Sequence, residues 1–149
     1  MNIIDEVEQF KRELRSYAYW KKKVAQIEED LEAVAVRMRG LSSPQFDRIP
    51  GEPKVSGAKS DHWYALMEKE EDLQRRKDDL LREIRFVERV LNNMDEHDAA
   101  IIRRVYIERQ SYQEVAESVG YSESGIYYRI RKAIKSAVTS MEEDERMVP

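Results

Sequence analysis

Residues 110–137 read QSYQEVAESVGYSESGIYYRIRKAIKSA, and they are the most informative stretch of the chain. Ser111 followed by Glu114 is a capping box, in which a hydroxyl and a carboxylate satisfy the first amides of a helix. Gly120 favours a left-handed end to that helix, and Ser122 offers the N-cap of a second one. Apolar residues then recur at helical spacing, namely Ile126, Ile130, Ala133 and Ala137. A short capped helix, a glycine turn and a longer helix predict a helix-turn-helix.

The spacing of these residues resembles region 4 of bacterial sigma factors and the sigma-like domains related to it. The family pattern has the form sxxEIAexLgxSxxxVxxxxxrAl. The matching positions here are Ser111, Glu114, Val115, Ala116, Val119, Gly120, Ser122, Ile126, Ala133 and Ile134. The resemblance implies binding to double-stranded DNA. The alternative that the residues leave open is a purely structural three-helix bundle.

A supporting helix is predicted just before this stretch. Asp95 or Asp98 can provide its N-cap. Its apolar side chains are those of Ile101, Ile102, Val105 and Tyr106. Three arginines add positive charge beside the predicted DNA-binding face, namely Arg103, Arg104 and Arg109.

The distribution of charge is more informative than its sum. The net charge of −4 argues against a protein that coats nucleic acid by charge alone. Residues 142–146 carry a local charge of −3, whereas residues 126–140 hold four cations and no acid. Those cations are Arg129, Arg131, Lys132 and Lys135. An ordinary solvated face explains them too, but after a helix-turn-helix pattern phosphate contact is favoured.

The composition and motifs give no support for an enzyme. The chain has no cysteine, which excludes disulfides, thiolate zinc sites and cysteine nucleophiles. Its two histidines, His62 and His97, lie far apart without a pattern of metal-ligating partners. No phosphate-binding glycine loop and no recognisable pair of acid and base occur. The sequence therefore predicts no catalytic residue, no metal site and no cofactor.

The N-terminal part of the chain shows heptad spacing in two long segments. The first helix, of roughly 36 residues, is marked by Ile3, Phe10, Tyr17, Val24, Leu31 and Met38. The second, capped by Asp61, is marked by Leu66, Leu73, Leu80, Val87 and Met94. Residues 40–60 between them hold three of the four prolines and no periodicity, which predicts a hinge. An antiparallel hairpin is the simplest arrangement, and its apolar seam closes either within one chain or between two chains of a homodimer.

The predicted fold is therefore all-α, a long antiparallel, coiled-coil-like helical hairpin followed by a C-terminal helix-turn-helix. Residues 1–94 form the hairpin with its hinge at 40–60. Residues 95–141 form the sigma region 4-like DNA-binding domain, and residues 142–149 form an acidic tail. No apolar run long enough to span a membrane and no signal-peptide pattern occur. We expect a cytoplasmic protein of a bacterial host cell that has no membrane partner.

The layout resembles the ArpU/RinA-type late transcriptional regulators of phages and prophages in Gram-positive bacteria. The resemblance covers nearly the full length, but outside residues 98–138 it depends on layout more than on motif. It implies an activator of late genes that binds promoter DNA and acts with host RNA polymerase. Because nothing resembles a promoter-melting region, such a protein would recruit or assist polymerase. The alternative is a phage small-terminase-like DNA-packaging protein, which also joins a helix-turn-helix to a long helical hairpin.

The sigma-like match implies a set of DNA-contacting residues. At the start of the first short helix, phosphate contacts are expected from Ser111, Tyr112 and Gln113. In the second helix, the predicted DNA-binding residues are Ser122, Glu123, Ser124, Tyr127, Tyr128, Arg131, Lys132 and Lys135. An alternative for Tyr128 is packing beneath the helix. Gly125 costs up to about 1 kcal/mol against alanine, and either close approach to DNA or a packing constraint explains it. A fragment lacking residues 1–90 is expected to keep weak DNA binding.

Overall fold

The computed structural model describes the backbone of residues 3–41 and 57–147, and the side chains of residues 6–41 and 60–143. Helices account for 91% of the described residues and no strand occurs among them, which confirms the predicted all-α class. Most of the predicted hinge, residues 42–56, lies outside the described residues. The same is true of residues 148 and 149 at the end of the predicted acidic tail.

Five α-helices run through the described part of the chain. Helices α1 and α2 are long, spanning Ile3–Gly40 and Gly57–Asn92. Helix α3, Glu96–Ile102, continues directly into a π-helical turn, Arg103–Ile107. Helices α4 and α5 span Tyr112–Val119 and Glu123–Met147. The predicted acidic tail therefore continues the backbone of α5 as far as Met147.

Helix α2 begins earlier than the sequence predicts. Its first residue is Gly57, so Asp61 is the fifth residue of the helix and the prediction that it is the N-cap was wrong. Ala58 and Lys59 both favour helical backbone. No proline stands between Gly57 and Asp61, so an additional turn forms before the predicted start.

Two compact units divide the chain, and the first comprises residues 22–81. Its core contains one segment from α1 and one from α2. The buried residues are Ile27, Val34, Leu66 and Leu73, bordered by Leu31, Met38, Leu41 and Leu80. Lys77 Nζ lies 3.4 Å from Glu28 Oε1. Two polar side chains that interrupt the apolar spacing therefore form an ion pair with each other.

The second unit combines residues 1–21 with residues 82–149. Its most deeply buried side chains, each at most 2% exposed, include Val7, Phe10, Leu14, Val87, Val90, Leu91, Ile101, Ile102, Val115, Ile126, Ile130 and Ile134. The Phe10 and Phe86 rings meet edge to face, with centroids 6.3 Å apart. Tyr17 Oη donates to Glu88 Oε1 at 2.8 Å. The first turns of α1 thus share a core with α3, α4 and α5.

Candidate nucleic-acid interface

The start of α3 follows the predicted capping pattern. Asp95 is the N-cap, and its carboxylate accepts a hydrogen bond from the backbone N–H of His97 at 3.1 Å. Asp98, the other candidate cap, instead accepts a hydrogen bond from Arg129 Nε at 2.6 Å. This bond raises the pKa of the Arg129 guanidinium, whose Cζ also lies 5.3 Å from the Tyr121 ring centroid. One of the four cations in residues 126–140 is therefore neutralised within the protein.

A π-helical turn connects α3 to the start of α4. The N–H of Glu108 donates to the carbonyl of Arg103 at 2.8 Å, and Arg109 then adopts a left-handed backbone with φ of 60°. Arg104 donates from Nε to Gln110 Oε1 at 2.8 Å and from Nη1 to Ser118 Oγ at 2.9 Å. Arg104 therefore fixes this connection to α4, whereas the side chain of Arg109 is exposed.

Helix α4 begins and ends at the predicted residues, although among the described hydrogen bonds only the hydroxyl half of the predicted capping box occurs. Ser111 Oγ accepts from the N–H of Glu114 at 3.1 Å, which confirms Ser111 as the N-cap. At the other end Gly120 adopts φ of 79°. The N–H groups of Gly120 and Tyr121 both donate to the carbonyl of Ala116, at 2.9 and 3.0 Å. These bonds satisfy an otherwise unpaired carbonyl at the helix end and redirect the chain.

The start of α5 also follows its predicted cap. Ser122 Oγ accepts from the N–H of Gly125 at 3.0 Å. A Cβ atom added to Gly125 would lie 2.9 Å from that same Oγ, which is too close. The two explanations predicted for Gly125 were close approach to DNA and a packing constraint. This contact favours the packing constraint, because the capping hydroxyl occupies the space of the side chain.

The two faces of α5 differ sharply in burial. The predicted inward residues are buried, namely Ile126, Ile130 and Ala133, together with Ile134 and Ala137. Tyr128 is 66% exposed, so the alternative in which it packs beneath the helix was wrong. Glu123 and Ser124 are exposed as well, as are Lys132 and Lys135, while Arg131 is half-buried. Within the described part of the chain, the side chains of Arg131, Lys132 and Lys135 have no ion-pair partner.

Tyr112, one of the predicted residues of α4, contacts α5 through its aromatic ring. Tyr112 is half-buried, and its hydroxyl lies 2.6 Å from that of Tyr106. The Tyr112 ring also meets the Tyr106 and Tyr127 rings edge to face, with centroids 6.4 and 6.2 Å apart. Burial, together with the hydrogen bond to Tyr112, raises the pKa of Tyr106. We call Tyr106, Tyr112 and Tyr127 the tyrosine column; it joins the π-helical turn, α4 and α5.

Other predicted residues are brought together at a groove beside α5. Ser122, Tyr128 and Lys132 line this groove of about 580 Å³, together with Asp95 and Tyr121. Gln113 lies elsewhere on α4, exposed, with its Nε2 3.4 Å from Glu117 Oε1. The predicted residues of α5 therefore lie on its exposed face and its flanks. The predicted residues at α4 are its N-cap, Ser111, and the first two residues of the helix.

The sequence interpretation missed two residues of α1. Lys11 Nζ lies 4.7 Å from the centroid of the Tyr127 ring, and Arg15 Cζ lies 5.3 Å from that of Tyr106. Lys11 is only 3% exposed, and its Nζ lies 3.4 Å from Glu8 Oε1. No local signal marks these cations, because α1 is rich in charged residues throughout.

The described residues include neither a metal-ion site nor a membrane-spanning helix. No group of His, Asp and Glu side chains in residues 6–41 and 60–143 is arranged to hold a metal ion. No helix in the part of the chain that the structure describes is both long enough and apolar enough to cross a membrane.

The fold and the site define an all-α protein in which capped helices expose a tyrosine- and cation-bearing helix face. Residues 40–138 match the model of a protein family of unknown function, DUF1492. The chain belongs to this family. The match extends from the last residue of α1 through most of α5. No curated protein and no solved structure matches the chain.

Proposed function

We propose that this protein is a sequence-specific DNA-binding transcriptional regulator in which α4 and α5 form a helix-turn-helix supported by α3. The observation that carries the proposal is the series of Ser111 as N-cap, left-handed Gly120 and Ser122 as N-cap. It separates α4 from α5 by the three residues 120–122, the turn length typical of this motif. In helix-turn-helix proteins the second helix lies in the major groove with its N-terminal residues at the base edges.

The exposed face of α5 and its half-buried flank have the chemistry that such a role needs. Arg131 is suited to guanine or to a phosphate, and the Tyr128 ring is suited to a thymine methyl group. Glu123, in the first turn, is suited to accept from a cytosine amino group. Lys132 and Lys135 supply phosphate contacts, which orient a protein on the duplex without reading its sequence. With Arg129 engaged by Asp98, Arg131, Lys132 and Lys135 are the cations of residues 126–140 that remain for DNA.

The helical hairpin is the second part of the proposal. Packing of Ile27 and Val34 of α1 with Leu66 and Leu73 of α2 supports a seam that closes within one chain. The proposed role is late-gene activation in a phage or prophage, with the hairpin available to contact host RNA polymerase in the bacterial cytoplasm. This role extends the resemblance to the ArpU/RinA-type regulators. Because nothing in the chain resembles a promoter-melting region, the protein would recruit or assist polymerase.

Selection of binding sites from a random double-stranded DNA library, with the full chain as bait, tests the proposal. We expect one enriched sequence, bound with an affinity that falls as salt is raised. Arg131→Ala should lose about 1–3 kcal/mol of binding free energy if its base contact is lost. Arg37→Ala is the matched control, since it removes the same charge from an exposed position in the other unit.

Two results would contradict the proposal. One is a library in which the wild-type protein enriches no sequence. The other is an Arg131→Ala loss no larger than that of Arg37→Ala. Light scattering on the same protein addresses the packaging alternative, because a monomer or dimer is expected of a regulator and a many-membered ring of a small-terminase-like protein.

A further inference from the structure

We infer that Lys11, with Arg15, is a positioning residue for DNA reading. In this arrangement the first turns of α1 hold the tyrosine column, and through it Tyr127, in the orientation that binds the base edges. The inference rests on the proposed function and deepens it. It extends the DNA-reading part of the chain from residues 95–141 to the whole unit of residues 1–21 and 82–149.

The geometry of α1 against the column is the first support. Lys11 Nζ and Arg15 Cζ lie 4.7 and 5.3 Å from the ring centroids of Tyr127 and Tyr106. Both distances are within the range of about 6 Å over which a cation is attracted to a ring face. Lys11 and Arg15 are one helical turn apart, so a single face of α1 contacts both ends of the column. Tyr112 connects the two ends through its ring contacts and the hydroxyl pair with Tyr106.

Burial distinguishes positioning from direct DNA contact. Lys11 is 3% exposed and its ammonium already has Glu8 as a partner. A cation in this position has no surface left for a phosphate, so its influence on DNA must pass through the ring that it contacts. Lys is seldom buried without a specific partner, and here the ring of Tyr127 supplies the second contact.

Exposure also distinguishes positioning from occlusion. If α1 covered the reading surface, Tyr127 would be buried beneath it. Instead Tyr127 is 44% exposed, and Ser124, Tyr128 and Lys135 on the neighbouring face are exposed too. The contact therefore restrains the Tyr127 ring and leaves part of its surface accessible.

The test is a double-mutant cycle on DNA binding by the full chain, using the sequence selected by the wild type and a scrambled duplex. Lys11→Met keeps the volume of the side chain and removes its charge, and Lys11→Arg keeps the charge. Tyr127→Ala removes the ring. We expect Lys11→Met to weaken binding to the selected sequence on the order of a few-fold. Binding to the scrambled duplex should be unchanged, and Lys11→Arg should restore most of the loss.

Two further readouts separate a positioning role from other roles. In the Tyr127→Ala background, Lys11→Met should cause no additional loss, because the ring through which it acts is absent. The salt dependence of binding should keep its slope, whereas loss of a direct phosphate contact would reduce the slope by roughly one. Melting temperatures of all variants identify any loss that is caused by unfolding.

Each remaining outcome overturns the inference. Additive losses in the cycle would mean that Lys11 does not act through Tyr127. A reduced salt slope would make Lys11 a phosphate contact, and tighter binding by Lys11→Met would mean that α1 competes with DNA. These results leave the proposed function standing. A wild-type chain that selects no sequence overturns the proposed function and the inference together.

Discussion

Replacing Gly125 with alanine tests how α5 begins. The added Cβ would lie 2.9 Å from Ser122 Oγ, the atom that accepts the N–H of residue 125. Alanine is favoured over glycine in a helix by about 1 kcal/mol. Displacement of an N-cap hydroxyl costs typically ~1 kcal/mol. The two effects oppose each other, so Gly125→Ala alone should change the free energy of unfolding very little.

The outcome changes when the hydroxyl is absent. Ser122→Ala should cost about 1 kcal/mol by itself. Adding Gly125→Ala to it should then recover about 1 kcal/mol, because alanine favours the helix and no longer meets an oxygen atom. The expected coupling between the two positions is therefore about 1 kcal/mol, in the lower part of the range seen for residues in contact.

Urea denaturation of the four proteins, followed by far-ultraviolet circular dichroism, measures this coupling. Ser136→Ala is the control for a helix-propensity gain at an exposed position of α5. If Gly125→Ala stabilises the wild type as much as it stabilises Ser122→Ala, the close contact has no energetic effect and the reasoning is refuted. If the single variant folds as well as the wild type but loses DNA affinity, Gly125 is needed for close approach to DNA.

Three other perturbations follow from contacts in the unit of residues 1–21 and 82–149. Arg109→Gly should raise the free energy of unfolding by about 0.5 kcal/mol, since relief of about 1 kcal/mol of left-handed strain exceeds the entropic cost of glycine. The same variant should lower the salt slope of DNA binding. A loss of stability in urea would show that Arg109 is unstrained. Asp98→Asn should free Arg129, lower the melting temperature and steepen the salt slope of DNA binding by up to roughly one. An unchanged slope would show that Arg129 stays out of reach of phosphate. A hydrogen bond to Glu142, together with burial and the charge of Glu142, raises the pKa of Glu6 above its ordinary 4.5. The pair therefore stabilises the fold below pH 4.5. That contribution is lost as the pH rises through the raised pKa. Glu6→Gln should therefore raise the melting temperature at pH 7 but not at pH 4, and an equal gain at both values would assign the effect to something other than this carboxyl pair.

The parts of the fold that could be predicted from sequence are those set by neighbouring residues. The hydroxyls of Ser111 and Ser122 cap the helices that follow them, and Gly120 takes the left-handed conformation. Each of these features depends on atoms within a few residues, and the residue type alone indicates it. The inward face of α5 could be predicted for a similar reason, because burial follows the helical period.

Contacts between distant segments could not be predicted in this way. Lys11 and Tyr127 are far apart in sequence, and so are Asp98 and Arg129. In the sequence each of these charged residues looks like part of a solvated helix face, and nothing local distinguishes a buried lysine from an exposed one. The start of α2 was missed for a different reason, because Asp61 is a good N-cap residue that a preceding helical turn made unnecessary.

The distant contacts also change what truncation should do. Deleting residues 1–90 removes Val7, Phe10, Leu14 and Val87 from the core of the unit of residues 1–21 and 82–149. Burial of one such side chain contributes roughly 1.5–3 kcal/mol, so their combined loss is comparable with the whole stability of a small domain. The fragment is therefore expected to unfold, whereas the sequence alone predicts that it keeps weak DNA binding.

The discontinuous make-up of this unit has a consequence for synthesis on the ribosome. Residues 1–21 emerge first, but their partners in residues 82–149 are made only after the intervening segment. At about 5–20 residues per second, the apolar side chains of Val7, Phe10 and Leu14 wait on the order of several seconds for α5. During that time residues 22–81 can pair locally, while the N-terminal turns remain a surface that chaperones would recognise. Slowing translation within α3 to α5 should therefore lower the yield of folded protein more than slowing it near the start.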